Sequence, residues 1–184
     1  MAGQPENRRV RMTKRMMKEA LMTLLQQKEL VNISVTAICE VADVHRSTFY
    51  KYYKDSADLL RDIEQEYLDC VPTPSRDLQS WDQEELLEET TAFFDYVKGN
   101  EGAFRILLGE STSSDFADRL IGLLSSKYAE PNKNEGDLAS YYTHIYIANG
   151  TVGMLREWVN TGFPVSSREI AEMMYTFSMR VTQI

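Results

Sequence analysis

The chain has 184 residues; at about 150 per domain this allows one or two domains with ample length to bury a core, and it excludes a tiny stapled scaffold. Hydrophobic content of 43% and charged content of 26% are ordinary for a globular chain and exclude wholesale disorder. The net charge of −8 argues against a nucleic-acid partner when taken whole, yet residues 1–54 carry ten Lys and Arg against five acids (+5), leaving ten against 23 (−13) in the other 130.

Helical spacing dominates from end to end, with no run of strand alternation, so an all-α fold is expected. A first helix is predicted over residues 13–28, with Thr13 as N-cap, a stripe of Met17, Ala20, Leu21, Leu24 and Leu25 facing inward, and Lys14, Arg15 and Lys18 on the opposite face. Ser34 can cap a short second helix through Ala42, with Val35, Ile38 and Val41 or Ala42 inward, and Asp43 tolerates the left-handed backbone of a tight turn. A third short helix is predicted from His45 or Arg46 to Tyr53. A fourth follows, capped by Asp55 or Ser56 and carrying Leu59, Leu60, Ile63 and Tyr67. The two prolines of VPTPSRD, residues 71–77, break it, which sets domains of 1–70 and 71–184. Further helices are predicted over 81–98, 103–108, 115–128, 138–160 and 167–183, making a helical bundle. The longest has Leu138, Tyr141, Tyr142, Ile145, Ala148, Val152, Leu155 and Val159 at helical spacing and is expected to be largely buried, with Gly150 and Gly153 admitting a neighbouring helix.

Residues 35–53, VTAICEVADVHRSTFYKYY, have the layout of two short helices around a tight turn, that of a helix-turn-helix. Phe49 and Tyr53, four apart, can face inward beside Val44, leaving Arg46, Ser47, Tyr50 and Lys51 outward. A major groove admits one such helix: Arg pairs with guanine edges, Ser or Thr contacts bases, and Lys and Tyr satisfy phosphates. An αα-hairpin with a wet basic face has the same composition.

The stretch ISVTAICEVADVHRSTFYKYYKDSADLL, residues 33–60, resembles the DNA-binding module of the tetracycline-repressor (TetR) family of bacterial transcriptional regulators, with similarity extending over about residues 9–67. The resemblance implies that Thr36, Arg46, Ser47, Thr48, Tyr50, Lys51 and Tyr52 approach bases or phosphates of double-stranded DNA, and that Lys54 sits near the backbone. Two positions depart from the family pattern: Asp43 stands where Gly is usual, and His45 where a small polar residue is common. Residues 141–174 are more diffusely similar to a Firmicutes-type regulatory domain of the same family. The family implies a homodimer joined by its last two helices and a ligand-responsive core. A DNA-binding regulator, by default a repressor, is therefore expected; activation, or control by a protein partner through the acidic body, are the alternatives.

Phe93, Tyr96, Phe104, Tyr142, Tyr146 and Trp158 are candidates to line an effector cavity, although core packing predicts the same residues. The acidic run of Asp82, Glu84, Glu85, Glu88 and Glu89 reads as a solvated helix face. Catalysis is not expected: the two histidines, His45 and His144, are far apart, and HExxH, GxSxG, CxxC and a glycine-rich phosphate loop are all missing. No metal or cofactor is expected. Two cysteines 31 residues apart make no disulfide framework, no apolar run approaches roughly 18 residues, and the start MAGQPENRRV has no secretory apolar stretch, so a cytoplasmic location without a membrane partner is expected.

Overall fold

The computed structural model of the chain describes residues 8–71, 82–109, 115–128 and 138–182. Every regular element among them is helical, in agreement with the all-α expectation. The described residues group into two compact units that change over between Asp69 and Cys70. The proline-bearing segment expected to break the chain falls mostly on 72–81, outside the described residues.

The first unit contains α1 (Arg8–Leu25), a single 3-10 turn (Leu30–Asn32), α2 (Val35–Ala42), α3 (Arg46–Phe49) and α4 (Ser56–Asp69). The first helix begins well before the expected start. Thr13 is not its cap but an interior residue, its hydroxyl donating to the Arg9 carbonyl at 2.9 Å, a bond available only inside a helix that has already begun. The expected stripe is otherwise in place: Met17, Ala20, Leu21 and Leu25 are buried and Leu24 is half-buried. They meet Ile38, Cys39 and Ala42 of α2 and Leu59, Leu60 and Ile63 of α4 in the core of this unit, each large side chain contributing about 1.5–3 kcal/mol by leaving water. Of the two α2 alternatives, Ala42 is buried and Val41 is exposed.

The helix ends are closed by local hydrogen bonds. Ser34 Oγ accepts from the Ala37 amide at 3.1 Å. Asp55 Oδ1 accepts from the Asp58 amide at 2.8 Å, so Asp55 is the cap of α4. Ser56 instead sends its buried hydroxyl to the Ile33 carbonyl at 2.9 Å, tying the start of α4 to the residue before the Ser34 cap of α2. Asp58 Oδ2 in turn accepts from the Lys54 amide at 3.0 Å, fixing the residue before the cap.

The second unit contains α5 (Gln83–Gly99), α6 (Glu101–Leu107), α7 (Phe116–Tyr128), α8 (Leu138–Asn160) and α9 (Ser167–Thr182). Its most extensive packing is of α5 on α9 and α7 on α8. Ser166 and Glu169 form a reciprocal cap at the start of α9: Ser166 Oγ accepts from the Glu169 amide at 3.2 Å and Glu169 Oε2 accepts from the Ser166 amide at 2.8 Å. The Ser166 hydroxyl, donating to Glu169 Oε2 at 2.7 Å, and then the Ser166 amide hold the Glu169 carboxyl below its ordinary range. Arg168 joins the same helix to α5, its guanidinium reaching Glu84 at 3.0 Å and Glu172 at 2.7 Å, so one member of the acidic run expected to be merely solvated has a fixed partner. Between α8 and α9 the chain reverses through Gly162 (φ 76°) and Phe163 (φ 59°), both left-handed. Glycine adopts this freely; Phe163 is held there by an edge-on contact with Trp158, ring centroids 4.6 Å apart.

The long helix α8 does not bury its whole apolar stripe. Ala148, Val152, Leu155, Trp158 and Val159 are buried, but Leu138, Tyr141, Tyr142 and Tyr146 are 73%, 52%, 64% and 67% exposed. Gly150 and Gly153 are also exposed, and a Cβ built at either meets nothing within 4 Å. The expectation of a helix packed against them is not met among the described residues, because the elements that cover α8 lie on its other side and toward its C-terminal half.

Candidate nucleic-acid interface

The reversal between α2 and α3 is built by Asp43, which adopts φ 52° and ψ 47°. Its amide donates to the Glu40 carbonyl at 3.4 Å and the next amide, of Val44, donates to the Cys39 carbonyl at 3.0 Å, the paired bonds of a Schellman ending. Aspartate is one of the few side chains that tolerate this backbone, which is why the turn forms without glycine. The His45 carbonyl then accepts from the amides of Thr48 at 2.8 Å and Phe49 at 3.1 Å and starts α3. The regular helix stops at Phe49 rather than at Tyr53, although helical hydrogen bonds from Tyr52 and Tyr53 back to Phe49 continue the turn.

Phe49 is fully buried and Tyr53 is 5% exposed, their ring centroids 5.8 Å apart. With these two anchored, Arg46, Ser47, Tyr50 and Lys51 all stand exposed on the outward side, Thr48 and Tyr52 are half-buried, and Thr36 and Lys54 are exposed on α2 and before α4. This side carries donors suited to base edges and cations suited to phosphates. Arg46 Nη2 donates to Tyr50 Oη at 3.4 Å, with the guanidinium 5.9 Å from the Tyr50 ring. That hydrogen bond pushes the Arg46 pKa above its ordinary value, so the side chain stays charged. Tyr52 has two ammonium groups near its ring, those of Lys14 at 5.8 Å and Lys51 at 5.7 Å.

The Tyr53 hydroxyl donates to Asp62 Oδ2 at 2.7 Å, and Lys18 Nζ reaches Asp62 and Glu66 at 2.7 Å each. Burial would raise the Asp62 carboxyl, but the hydrogen bonds from Lys18 and Tyr53 and the charges of Lys18 and Lys14 outweigh it and hold the group below its ordinary range. Lys18, expected on the wet face of α1, is thus 12% exposed at its side chain and committed to α4. The sequence reading missed this link because it joins residues 44 and 48 positions apart. Cys39 is buried, and burial raises its thiol, which fits a packing role rather than a nucleophile.

In the second unit, Phe93, Tyr96 and Phe104 do come together: Phe104 is buried, with centroids 6.5 Å from Phe93, 6.1 Å from Tyr96 and 6.0 Å from Phe116. Trp158 is buried against Phe94 at 5.4 Å and its indole donates to the Val165 carbonyl at 3.0 Å. Tyr142 and Tyr146 stand on the exposed side of α8. His144 is half-buried in the same helix. Among the described residues no group of three or more His, Cys, Asp and Glu is placed to hold a metal ion, and no helix is long and apolar enough to cross a membrane.

Comparison with known proteins gives a consistent picture. A TetR-type model described as a transcriptional regulator C-terminal region matches residues 84–180, more than half of the chain. No curated protein matches by sequence. Solved structures do match in fold: a TetR transcriptional regulator from Streptococcus agalactiae 2603V (TM-score 0.70, 18% identity, covering 93% of this chain and 96% of that one); a TetR-family regulator from Syntrophomonas wolfei (TM-score 0.65, 19% identity, 94% and 95%); and the dihydroxyacetone kinase operon activator DhaS (TM-score 0.61, 18% identity, 91% and 94%).

Proposed function

The chain belongs to the TetR family of transcriptional regulators, and from that premise we propose that it is a ligand-responsive repressor that binds a palindromic operator as a homodimer. Family and fold are those of regulators, which are not enzymes. The observation that carries the DNA-binding reading is the two-sided third helix and the turn that continues it: Phe49 and Tyr53 locked in the core, Arg46, Ser47, Tyr50 and Lys51 in solvent. In this reading Thr36, Thr48, Tyr52 and Lys54 complete the contact surface, with the lysines on phosphates and Arg46 on a guanine edge.

The dimer reading is supported by the uncovered part of α8. Three tyrosines and Leu138 in water, with Phe177 of α9 47% exposed, form an apolar surface that a second copy of the chain can cover, and the bare Gly150 and Gly153 permit close approach. A four-residue reading helix makes few contacts; twofold symmetry doubles them on two half-sites about one helical turn apart. For the effector, the ring cluster of Phe93, Tyr96 and Phe104 supports an apolar or aromatic ligand that favours one of two dimer geometries. The likeness in fold to an operon activator favours activation as the second reading.

The test is a gel shift on duplexes selected from a randomised pool, at several salt concentrations, with sedimentation of the same preparation and calorimetry against a metabolite panel. Specific binding that weakens steeply with salt, at the mass of two chains, is the expected result. A monomer that takes up no duplex at low salt overturns the reading.

A further inference from the structure

The 130 residues after Lys54 are acidic, ten cations against 23 carboxylates, and two of their arginines are claimed by those acids. Arg105 holds Glu101 at 2.7 Å, and Arg168 holds Glu172 at 2.7 Å and Glu84 at 3.0 Å. Arg156 of α8 differs from both. It is half-buried, and its Nε is shut off from water with no hydrogen-bond partner among the described residues. Ser125 Oγ of α7 is in the same condition, but a hydroxyl is neutral, and a charge withdrawn from water without a counter-charge costs far more. An orphan of this kind calls for an occupant that supplies the missing acceptor.

We infer that Arg156 anchors an anionic effector, an organic carboxylate or phosphate. The inference rests on the effector reading above and deepens it, adding a charge to a ligand described so far only as apolar or aromatic. The Nε edge of a guanidinium, with the adjacent Nη, is a planar pair of donors that matches two oxygens of one oxyanion. A bound carboxylate therefore satisfies the orphan atom and neutralises the charge together. Arg156 lies ten residues beyond Tyr146, about 15 Å along the helix, and so away from the exposed tyrosines that support the dimer contact. One turn further on, the Asn160 carbonyl accepts from Arg105 Nη1 of α6 at 3.4 Å. The same α6 carries Phe104 of the ring cluster, so an aromatic acid is the ligand chemistry that suits both the guanidinium and the rings.

The experiment uses the full chain, with sodium benzoate and inorganic phosphate as probes and benzyl alcohol as the uncharged counterpart, all at constant ionic strength. In calorimetry the wild type should bind benzoate or phosphate saturably, and Arg156→Met and Arg156→Gln should weaken that binding roughly tenfold or more. Arg156→Lys, which keeps the charge but not the fork, should fall between them. Without any ligand, Arg156→Met should melt on the order of 3 °C above the wild type, because no charge is then stranded. A lower melting temperature overturns the proposal, and a sedimenting mass that falls with it assigns the counter-charge to a second copy of the chain. Benzyl alcohol bound as tightly as benzoate, and equally by Arg156→Met, overturns the anchor and leaves the effector reading standing. No binding of benzoate or phosphate also overturns the anchor, and no binding of any small molecule in the metabolite panel removes the effector reading beneath it.

Discussion

The two units use their aromatic residues in opposite ways. In the first, Phe49 and Tyr53 are sunk in the core, while Tyr50 and Tyr52 lie beside Arg46, Lys14 and Lys51, where a polar tip and a ring face are both employed. In the second, Phe94, Phe104, Phe116 and Trp158 make the core, but Tyr141, Tyr142 and Tyr146 stand in water along α8. In the amino-terminal unit the starts of α2 and α4 are capped and the outward side of α3 is polar and cationic, with Met12, Val31 and Val41 as scattered apolar exceptions. Among the described residues, nothing covers the amino-terminal part of the α8 stripe. The difference teaches that, among the described residues, the first unit presents a polar, cationic side next to its buried rings, whereas the second leaves part of an apolar stripe uncovered.

The contrast can be broken most severely by Phe49→Ala. It removes a ring with no exposure at all and should cost about 3–5 kcal/mol, enough to unfold the first unit while leaving the second folded, as read by denaturant titration. Tyr146→Glu probes the other side. It sets like charges across a symmetric contact and should raise the dimer dissociation constant on the order of a hundredfold in sedimentation, with unchanged helicity. An unchanged mass would mean that α8 is not the contact. Arg46→Ala sharpens the account of the polar face: discrimination at one base position should fall roughly ten- to a hundredfold, with stability intact, in a binding-site selection.

Asp62→Asn should have the smallest effect, visible as a pH dependence. The folded carboxyl titrates below the ordinary 3.8, so the unfolded chain takes up its proton first as pH falls. The stability from Asp62 is therefore full above that ordinary value and is lost as pH drops through the lower folded one. Melting curves of wild type and variant should be separated at neutral pH and converge in acid. Separation that grows in acid would contradict the Lys18 and Tyr53 bonds.

Legibility in the sequence followed the range of the interactions. Ser34, Asp43 and the Phe49–Tyr53 spacing act within four residues or so, and the turn, the cap and the outward face of α3 all stand where those local signals point. Thr13 shows the limit even of local signals. A threonine after polar residues reads as a start, but Arg8 to Met12 are already helical and offer it an interior carbonyl instead. The stripe of α8 shows a second limit: periodicity reports which residues share a face, and is silent on whether anything in the same chain covers it.

Order along the chain thus settled the helices, the tight turn and the sign of charge on each half, because capping bonds, helical period and side-chain ionisation are properties of neighbouring residues. Three-dimensional packing alone decided that Lys18 turns inward to Asp62 and Glu66, that Lys14 meets Lys51 around Tyr52, and that the tyrosines of α8 are left in water. Each of these depends on which distant segment comes to lie alongside, and that is set by how the apolar faces of whole helices are shared out.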